Sequence, residues 1–388
     1  MNKTFNYSTM KVGIIGGGQL GKIMAQKAKK MGFHVTILDP TPNCPAAQVS
    51  DKQIIGGFHD AEKLAQLVSE NDVTTFELEH VDTTILKKMF DEGNNIYPSP
   101  YLIELIQDKY KQKELLDKKG IPVPKYKKVD TKACLESFGL PVIQKARKGG
   151  YDGKGVVLLR TKDDLIDKAI EADSFIEELV DIEKEIAVMV ARNIEGEIAC
   201  YPVVEMLFDE RVNICDIVIA PARIEESLRK EIEDISIKCI EVLDGVGIFG
   251  VELFLTKDNK ILVNEIAPRP HNSGHYTIES CLTSQFEQLI RAVTNLPLGS
   301  TKLISPSAMV NLLGEEGYKG EPVIEGIHEA LEIPGLSFHF YGKKETSAFR
   351  KMGHITVLDE DLNIALEKAQ IAKEILKVKG SIKIWKSH

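Results

Sequence analysis

The sequence predicts a mixed protein with an α/β first domain, an α+β central domain and a small, β-rich C-terminal domain. Three observations carry this prediction. Short apolar runs alternate with helical patterns over the first hundred residues, and the pattern becomes mixed after Pro98 and Pro100. Short β-like runs with one amphipathic helix make up the last part. A chain of 388 residues is also too long for one ordinary domain, so two or three packed units are expected.

The first unit alternates strands with helices. Strands are predicted at 11–15, 35–38 and 73–76, and helices at 19–31, 60–69 and 83–90. Such alternation predicts a parallel sheet with helices on both faces.

The central unit begins with a lysine-rich pattern that predicts one long helix over 102–119. Pro122 and Pro124 follow it and end it. Further strands are predicted at 141–145, 156–160 and 198–204, further helices at 162–171 and 225–243, and the C-terminal helix at 362–379.

Composition narrows the possible functions. The sequence is 43% apolar and 28% charged, the balance of a soluble globular protein, and no apolar run is long enough to cross a bilayer. The net charge of −9 argues against a nucleic-acid partner, and the six cysteines form no C-x-x-C pair that would indicate a zinc site. The polar segment 1–10 lacks the apolar core of a signal peptide. We therefore expect a cytoplasmic protein with no membrane association.

A glycine-rich run at 16–21, GGGQLG, matches the pattern G-x-G-x-x-G between a strand and a helix. Asp39 ends the next strand at a distance that suits a dinucleotide site, so a nicotinamide-dependent dehydrogenase is one hypothesis. A P-loop is excluded, because Ile23 stands where a Ser or Thr would hold magnesium. The alternative is a glycine turn that only lets helix and strand pack closely.

A second pattern predicts two opposed carboxylates. Two β-rich runs flank Asp258-Asn259, which suits the centre of a tight hairpin turn. Counting back from that turn pairs Leu255 with Leu262 and Glu252 with Glu265. Opposed like charges destabilise a hairpin, whereas a divalent cation between them would stabilise it, and magnesium prefers such ligands. Two solvated glutamates on an exposed face are the alternative.

Asn264 precedes the second carboxylate, and in an ideal strand its side chain points to the opposite face. Its participation in the site would require a local twist or a bulge.

A third pattern suggests phosphate binding. The strand at 141–145 ends in Lys145 and leads into the glycine-rich run GGYDGKG at 149–155. Glycines allow the backbone to approach phosphate oxygens, and lysines neutralise the charge of phosphoryl transfer. A turn with solvent-facing lysines is the alternative. The extended segment 175–180 offers backbone groups to an adenine edge, and Glu185 could accept from ribose hydroxyls. Taken alone, however, this segment favours a plain edge strand.

Taken together, these residues resemble the ATP-grasp family. Within it they resemble the 5-(carboxyamino)imidazole ribonucleotide synthetases of de novo purine biosynthesis. The most specific parts are GYDGKG at 150–155 and NEIAPRPHNSGH at 264–275, and the resemblance extends from 13–21 to 350–354. It implies a Rossmann-like pre-ATP-grasp domain at 1–104, an ATP-grasp domain at 105–300 and a small C-terminal domain at 301–388. It also implies ATP and Mg²⁺ as cofactors, and a homodimer.

The resemblance assigns the candidate site residues by position. It implies that ATP is bound by Lys109, Lys145, Gly150, Tyr151, Asp152, Gly153, Lys154, Gly155, Val156, Glu177, Glu178, Leu179, Val180, Glu185, Asn264 and Glu265. The implied magnesium ligands are Glu252 and Glu265, and the implied bicarbonate ligands are Arg269, His271 and Asn272. The implied ribotide ligands are Gln19, Leu20, Asp152, Lys343 and Arg350, and the implied catalytic residues are Asp152, Arg269 and Lys145.

The implied reaction joins bicarbonate to the amine of 5-aminoimidazole ribonucleotide while ATP becomes ADP and phosphate. A formate-using purine transformylase or a biotin-carboxylase-like subunit would share the ATP residues but differ at Asp152, at His271 and at the pair Lys343 and Arg350. A catalytically inactive scaffold is a further alternative, and it is disfavoured because four residues are intact: Lys145, Glu252, Glu265 and Arg269. Structural roles are favoured for Glu77, Glu79 and His80, which follow a strand end. A nucleotide role for Glu205 is doubtful.

Overall fold

The computed structural model describes residues 9–129, 135, 137–150, 155–209 and 214–384. Its strands are β1 (Lys11–Ile15), β2 (His34–Asp39), β3 (Lys52–Ile55), β4 (Val73–Phe76), β5 (Tyr126–Val129), β6 (Val142–Ala146), β7 (Val156–Leu159), β8 (Ser174–Glu178), β9 (Ile182–Arg192), β10 (Ile198–Cys200), β11 (Val204–Asp209), β12 (Ile214–Ala220), β13 (Gly247–Thr256), β14 (Ile261–Ala267), β15 (Ser307–Leu313), β16 (Tyr318–Glu325), β17 (Leu336–Phe340), β18 (Lys351–Leu358) and β19 (Lys377–Lys383). Its helices are α1 (Gln19–Lys30), α2 (Ala61–Glu70), α3 (Thr83–Asp91), α4 (Pro100–Ile106), α5 (Lys109–Lys118), α6 (Lys162–Asp167), α7 (Glu226–Leu243), α8 (Thr277–Ser280), α9 (Gln285–Val293), α10 (Ile327–Leu331) and α11 (Leu362–Ile375).

The first unit is a parallel sheet in the order β3-β2-β1-β4, as strand–helix alternation predicts. Its strands β1, β2 and β4 are almost fully buried because helices cover both faces of the sheet. Two of these helices begin at aspartate caps, Asp60 on the amide of Lys63 and Asp82 on the amide of Thr84. The strand β3 was not predicted.

The long helix predicted over 102–119 is wrong as one element, because the chain forms α4 and then α5. Asp108 lies between them in an extended conformation, and its carboxylate accepts from the amide of Lys111 to cap α5. Arg147 forms an ion pair with the same carboxylate. The break places Lys109 in the first turn of α5, beside β14.

Three other predicted elements differ in extent. The strand predicted over 198–204 is two strands, β10 and β11, because the chain turns inward at the fully buried Tyr201, whose hydroxyl donates to the carbonyl of Thr283 at 2.9 Å. The C-terminal helix ends at Ile375 rather than 379, since the next residues enter β19. The helix predicted to reach 171 ends at Asp167.

A large antiparallel sheet runs through the central and C-terminal parts in the order β14-β13-β9-β11-β12-β15-β18-β17, with β10 beside β9. A smaller antiparallel sheet, β5-β8-β6-β7, faces the end of this sheet that carries β13 and β14. The α/β and α+β class is therefore confirmed. The limits predicted at 104 and 300 stay predictions, since β12 pairs directly with β15 across the second of them. In the part of the chain that is described, every helix is too short or too polar to cross a membrane.

Candidate active site

The hairpin of β13 and β14 places Glu252 directly opposite Glu265, as the count from the sequence predicts. The turn itself differs from the prediction. Leu255 pairs with Ile261 rather than Leu262, because the loop is longer than two residues and Asn259 adopts a left-handed conformation with φ 59°. The register shifts by one residue between the turn and the glutamates, which restores the predicted pairing.

That shift is a β-bulge at Asn264, which lies between the paired residues Val263 and Glu265. The bulge turns the Asn264 side chain to the same face as the two glutamates. Its Oδ1 accepts from Lys145 Nζ at 2.9 Å, and its Nδ2 lies 3.5 Å from Glu252 Oε2. The irregularity that the sequence required for Asn264 to reach the site is therefore present.

Electrostatics separate the two carboxylates. Burial, and then the negative charges of Glu265 and Glu185, raise the pKa of Glu252 to about 8. Burial alone would raise the pKa of Glu265 too, but the ion pair with Lys109 outweighs it and lowers that pKa. With both carboxylates ionised, Lys109 balances only one of the two negative charges, and a cation between them would relieve the remaining repulsion.

This donor set fits magnesium. Two carboxylates face each other across the hairpin, and burial and neighbouring negative charges disfavour the ionised form of Glu252. Among the described residues the His, Cys, Asp and Glu side chains form no cluster of three or more with metal-ligand geometry. Magnesium is commonly held by one or two carboxylates together with substrate phosphates and water, so two protein ligands suffice.

A cavity of about 320 Å³ opens above this hairpin, between the two antiparallel sheets. The structure brings most of the candidate ATP, magnesium and bicarbonate residues to its walls: Lys109, Lys145, Gly150, Val156, Glu177, Glu178, Leu179, Val180, Glu185, Glu252, Asn264, Glu265, His271 and Asn272. Gly155 instead directly precedes β7, and its carbonyl accepts from the amide of Ala146. Tyr151, Asp152, Gly153 and Lys154 lie outside the described residues.

Several residues that line this cavity were not predicted from the sequence. Ile143, Ile182, Phe208, Ile214, Cys215 and Phe254 supply apolar surface, and Lys351 adds a cation from β18. Apolar strand residues carry no signal that separates a ligand-facing side chain from a core side chain. Lys351 directly follows Arg350 in the sequence, so adjacency to that motif was the available clue.

Glu185 lies in this cavity with a perturbed carboxylate. Burial raises its pKa to about 7, while the charge of Lys145 acts in the opposite direction. A carboxyl group near its midpoint at neutral pH can accept from hydroxyl groups in its ionised form.

The candidate bicarbonate residues divide between two places. His271 Nε2 lies 3.3 Å from Glu252 Oε1, and Asn272 exchanges hydrogen bonds of 2.8 and 2.7 Å with Asn311. The guanidinium of Arg269 instead pairs with Glu79 at 2.8 Å. Glu79 lines a small cavity of about 120 Å³ next to the larger one, so it borders the site in addition to the structural role that the sequence favours for it.

The glycine turn of the first unit is hydrogen-bonded to a buried carboxylate of the same unit. Glu77 is buried, and its oxygens accept from the amides of Gly18 at 2.6 Å and Leu20 at 3.1 Å. A Cβ at Gly18 would lie 2.6 Å from Glu77 Oε1, so glycine is needed for this close approach. Glu77 thus occupies the helix N-terminus where a dinucleotide phosphate would bind, which argues against the dehydrogenase hypothesis. The structural role favoured for Glu77 agrees with this.

The candidate ribotide residues meet only in part. Lys343 Nζ donates to Gln19 Oε1 at 2.7 Å, which joins the C-terminal part to the first helix. Leu20 is buried, and its amide donates a hydrogen bond to the carboxylate of Glu77. Arg350 is exposed and donates to the carbonyl of Glu345 at 2.8 Å. Glu205, whose nucleotide role was doubted, is buried in ion pairs with Arg223 and Lys184.

Comparison with known families accounts for this arrangement. Three family models match in order: the ribonucleotide synthetase preATP-grasp domain at 9–107, the ATP-grasp domain at 114–286, and the phosphoribosylaminoimidazole carboxylase C-terminal domain at 307–368. The N5-carboxyaminoimidazole ribonucleotide synthase of Bacillus subtilis is 38% identical over 367 residues, which cover 93% of this chain and 94% of the relative. The chain belongs to the N5-carboxyaminoimidazole ribonucleotide synthase family.

Solved structures of the synthase family superpose along almost the full length. The N5-carboxyaminoimidazole ribonucleotide synthetase of Thermotoga maritima is 60% identical with a TM-score of 0.91, covering 96% of this chain and 100% of its own. The synthase of Aspergillus clavatus, solved with ADP and 5-aminoimidazole ribonucleotide, is 35% identical with a TM-score of 0.88, covering 95% and 99%.

Some relatives of the synthase family are longer. The chloroplastic phosphoribosylaminoimidazole carboxylase of Vigna aconitifolia is 40% identical over 365 residues, which cover 91% of this chain but only 64% of the plant protein.

Proposed function

We propose that this chain carboxylates 5-aminoimidazole ribonucleotide with bicarbonate and ATP, giving 5-(carboxyamino)imidazole ribonucleotide, ADP and phosphate in de novo purine biosynthesis. The observation that carries the proposal is the opposed pair Glu252 and Glu265, set beside Lys109 and Lys145 in one cavity. This is an arrangement for holding a metal-bound nucleoside triphosphate. The membership of the synthase family supports the choice of acceptor and of carboxyl donor.

The nucleotide would enter the 320 Å³ cavity with its phosphates toward the hairpin. Lys145 and Lys109 would neutralise phosphate oxygens, and Asn264 would donate through its amide. The backbone of 178–180 would meet the adenine edge, and ionised Glu185 would accept from ribose hydroxyls. Magnesium held by Glu252 and Glu265 would offset the charge on the phosphates during transfer.

The chemistry then needs an anion held next to the γ-phosphate. A bicarbonate oxygen would attack phosphorus as the bond to ADP breaks, giving carboxyphosphate, which releases carbon dioxide and phosphate in a site closed to water. His271 and Asn272 lie on the wall that could hold this anion. Arg269 would reach it by exchanging Glu79 for the incoming carboxylate, a change that its planar fork of donors favours.

The ribotide would lie between the first unit and the C-terminal part, where Gln19 and Lys343 already meet. Its phosphate would displace Gln19 from the Lys343 ammonium, and Arg350 would turn from the surface to join it. The exocyclic amine would then attack carbon dioxide, forming the N–C bond and losing one proton. Asp152 is the proposed group that orients this amine, and it falls outside the described residues.

Release of ADP is the experiment that tests this proposal. With magnesium and bicarbonate, the wild type should release ADP much faster when 5-aminoimidazole ribonucleotide is present, and Glu265→Ala should abolish that release. Glu183→Ala, which removes an exposed glutamate from β9, is the matched control and should behave as wild type. ADP release that ignores the ribotide would overturn the assignment of the acceptor. Release that persists in Glu265→Ala would overturn the metal site.

We also propose a cytoplasmic homodimer, in keeping with the family resemblance. Sedimentation velocity of the purified chain tests the assembly, and a mass of one chain at micromolar concentration would contradict it.

A further inference from the structure

A buried triad of charges lies behind the cavity. Glu177 is a buried residue of β8, and its two carboxylate oxygens pair with two different lysines: Lys113 Nζ at 2.6 Å and Lys145 Nζ at 2.7 Å. The side chains of Lys113 and Glu177 are each 3% exposed, and that of Lys145 is 11% exposed. The three residues come from α5, β6 and β8, so the contact is tertiary and not visible as a sequence pattern.

Only one end of this triad opens toward the proposed nucleotide. Lys145 and Glu177 are among the described residues that line the cavity, and Lys113 is not. The ammonium of Lys113 is buried and instead lies 3.4 Å from the carbonyl of Val263 in β14. Lys113 therefore cannot act by touching the phosphates.

Lys113 and Glu177 are both charged at neutral pH. Burial lowers the pKa of Lys113, with Glu177 opposing the effect, to about 8. Burial alone would raise the pKa of Glu177, but Lys145 and Lys113 together hold it below its ordinary value. The triad therefore carries one positive charge in excess.

The position of that excess charge matters for the nucleotide. A lone Glu177–Lys145 pair would be neutral as seen from the cavity, and the lysine would offer little attraction to a polyanion at a distance of several ångströms. With Lys113 compensating Glu177 from behind, the charge of Lys145 is not cancelled. We propose that Lys113 is a positioning residue for the ATP phosphates, which neutralises Glu177 so that the positive charge of Lys145 stays available to the nucleotide.

This inference rests on the proposed ATP site and assigns a role in it to a residue that contacts no substrate. A merely structural role for Lys113 predicts something different. Breaking a buried ion pair destabilises a fold whatever the ligand is, so stability alone does not separate the two roles. The separation lies in how binding depends on the number of phosphates, because only phosphate oxygens respond to the charge of Lys145.

The test is therefore the ratio of ATP affinity to AMP affinity, measured by calorimetry with magnesium. The two nucleotides share adenine and ribose, so effects of Glu177 on the base cancel in this ratio. Lys113→Met should lower the ratio on the order of 10-fold, about 1.4 kcal/mol. Lys113→Arg, which keeps the charge, should preserve it. Lys111→Met is the matched control, since it removes an exposed lysine from the same helix, and it should leave the ratio unchanged.

The decisive variant is Lys113→Met combined with Glu177→Gln. Removing both buried charges leaves Lys145 with its full charge, so the ratio should return to within a few-fold of wild type. This double variant is also the second readout if Lys113→Met alone does not fold, because the only charge of the triad that it keeps, Lys145, opens to the cavity and still donates to Asn264 Oδ1 at 2.9 Å.

Three results would overturn the inference. A folded Lys113→Met with the wild-type ratio would overturn it alone and leave the proposed function intact. A double variant with a tenfold lower ratio would do the same, because the loss would then not follow the charge. A wild type that binds ATP no better than AMP would overturn the proposed function, and this inference with it.

Discussion

Neutralising Glu252 should stabilise the metal-free protein and remove its response to magnesium and ATP. Glu252 faces Glu265 across the hairpin, and burial together with that neighbour raises its pKa to about 8. A raised carboxyl pKa means that the native state binds the proton more tightly than the unfolded state does. The stabilisation is then fully present below the ordinary pKa of about 4.3 and is lost as the pH rises through about 8. Glu252→Gln is permanently neutral and avoids this loss.

The size of the effect follows from Coulomb's law. Side chains directly opposite each other in an antiparallel pair have Cβ atoms about 5 Å apart, and two unit charges at about 5 Å in an effective dielectric of about 20 repel by about 3 kcal/mol. Lys109 pairs with Glu265 and offsets part of this repulsion. We expect Glu252→Gln to be more stable than wild type by about 1–2 kcal/mol at about pH 9 without metal, and nearly equal at about pH 5.

Denaturant unfolding in EDTA at low salt measures this difference, and repeating it with saturating magnesium and ATP measures the ligand response. Wild type should gain stability from the ligand and Glu252→Gln should gain little. Glu183→Gln, which removes an exposed charge from the neighbouring strand β9, should show neither effect. A metal-free Glu252→Gln that is less stable than wild type at about pH 9 would refute the electrostatic reasoning. Equal stabilisation of both proteins by magnesium and ATP would refute the metal assignment.

Three further predictions concern other parts of the site. Burial raises the pKa of Glu185 to about 7, so the affinity of the wild type for AMP without metal should rise as the pH increases through about 7. Calorimetry should show no such rise in Glu185→Gln, and a parallel rise in both proteins would contradict the role of Glu185. Burial holds the pKa values of His275 and His354 well below the ordinary one, so the stability of the fold should fall as the pH drops below about 6.5. Thermal scans should show a weaker fall in His354→Gln, and an unchanged dependence on pH would contradict this explanation. Arg269→Lys keeps the charge but loses the planar fork, so kcat/KM for bicarbonate should drop at least about 10-fold while ATP affinity is unchanged; equal losses in both would point to general misfolding.

Local patterns predicted the first unit well. The strands at 11–15 and 73–76 have the predicted limits, since each is an apolar run whose neighbours along the chain form the adjacent helices. The strand β3 was missed because it is short and mixes Lys52 and Gln53 with two isoleucines. The break between α4 and α5 was not predicted because the cap that Asp108 forms on α5 depends on the backbone conformation of Asp108 and on its ion pair with Arg147, which is distant in the chain.

The hairpin shows how a correct prediction can rest on an incomplete reason. The sequence placed Glu252 opposite Glu265 by assuming a two-residue turn and a regular ladder. In the structure the loop is longer, and the bulge at Asn264 compensates for it. Bulges depend on how a strand twists against its neighbours, so neither departure could be read from the residues alone.

Tertiary contacts of the site were beyond sequence reasoning. The pairs Arg269–Glu79 and Lys113–Glu177 join residues far apart in the chain, and no periodicity marks them. The same holds for the pairing of β12 with β15, which carries one sheet from the central part into the C-terminal part.

Transfer of carbon from bicarbonate to the ribotide tests the central claim most directly. The wild type is incubated with ¹³C-bicarbonate, magnesium, ATP and 5-aminoimidazole ribonucleotide, and carbon NMR follows the labelled carboxyl group while ADP is counted in the same sample. The account predicts a new carbamate signal bonded to the exocyclic nitrogen, formed in step with ADP and absent in Glu265→Ala. ADP formation without a labelled ribotide, or a labelled ribotide formed without ATP, would contradict it.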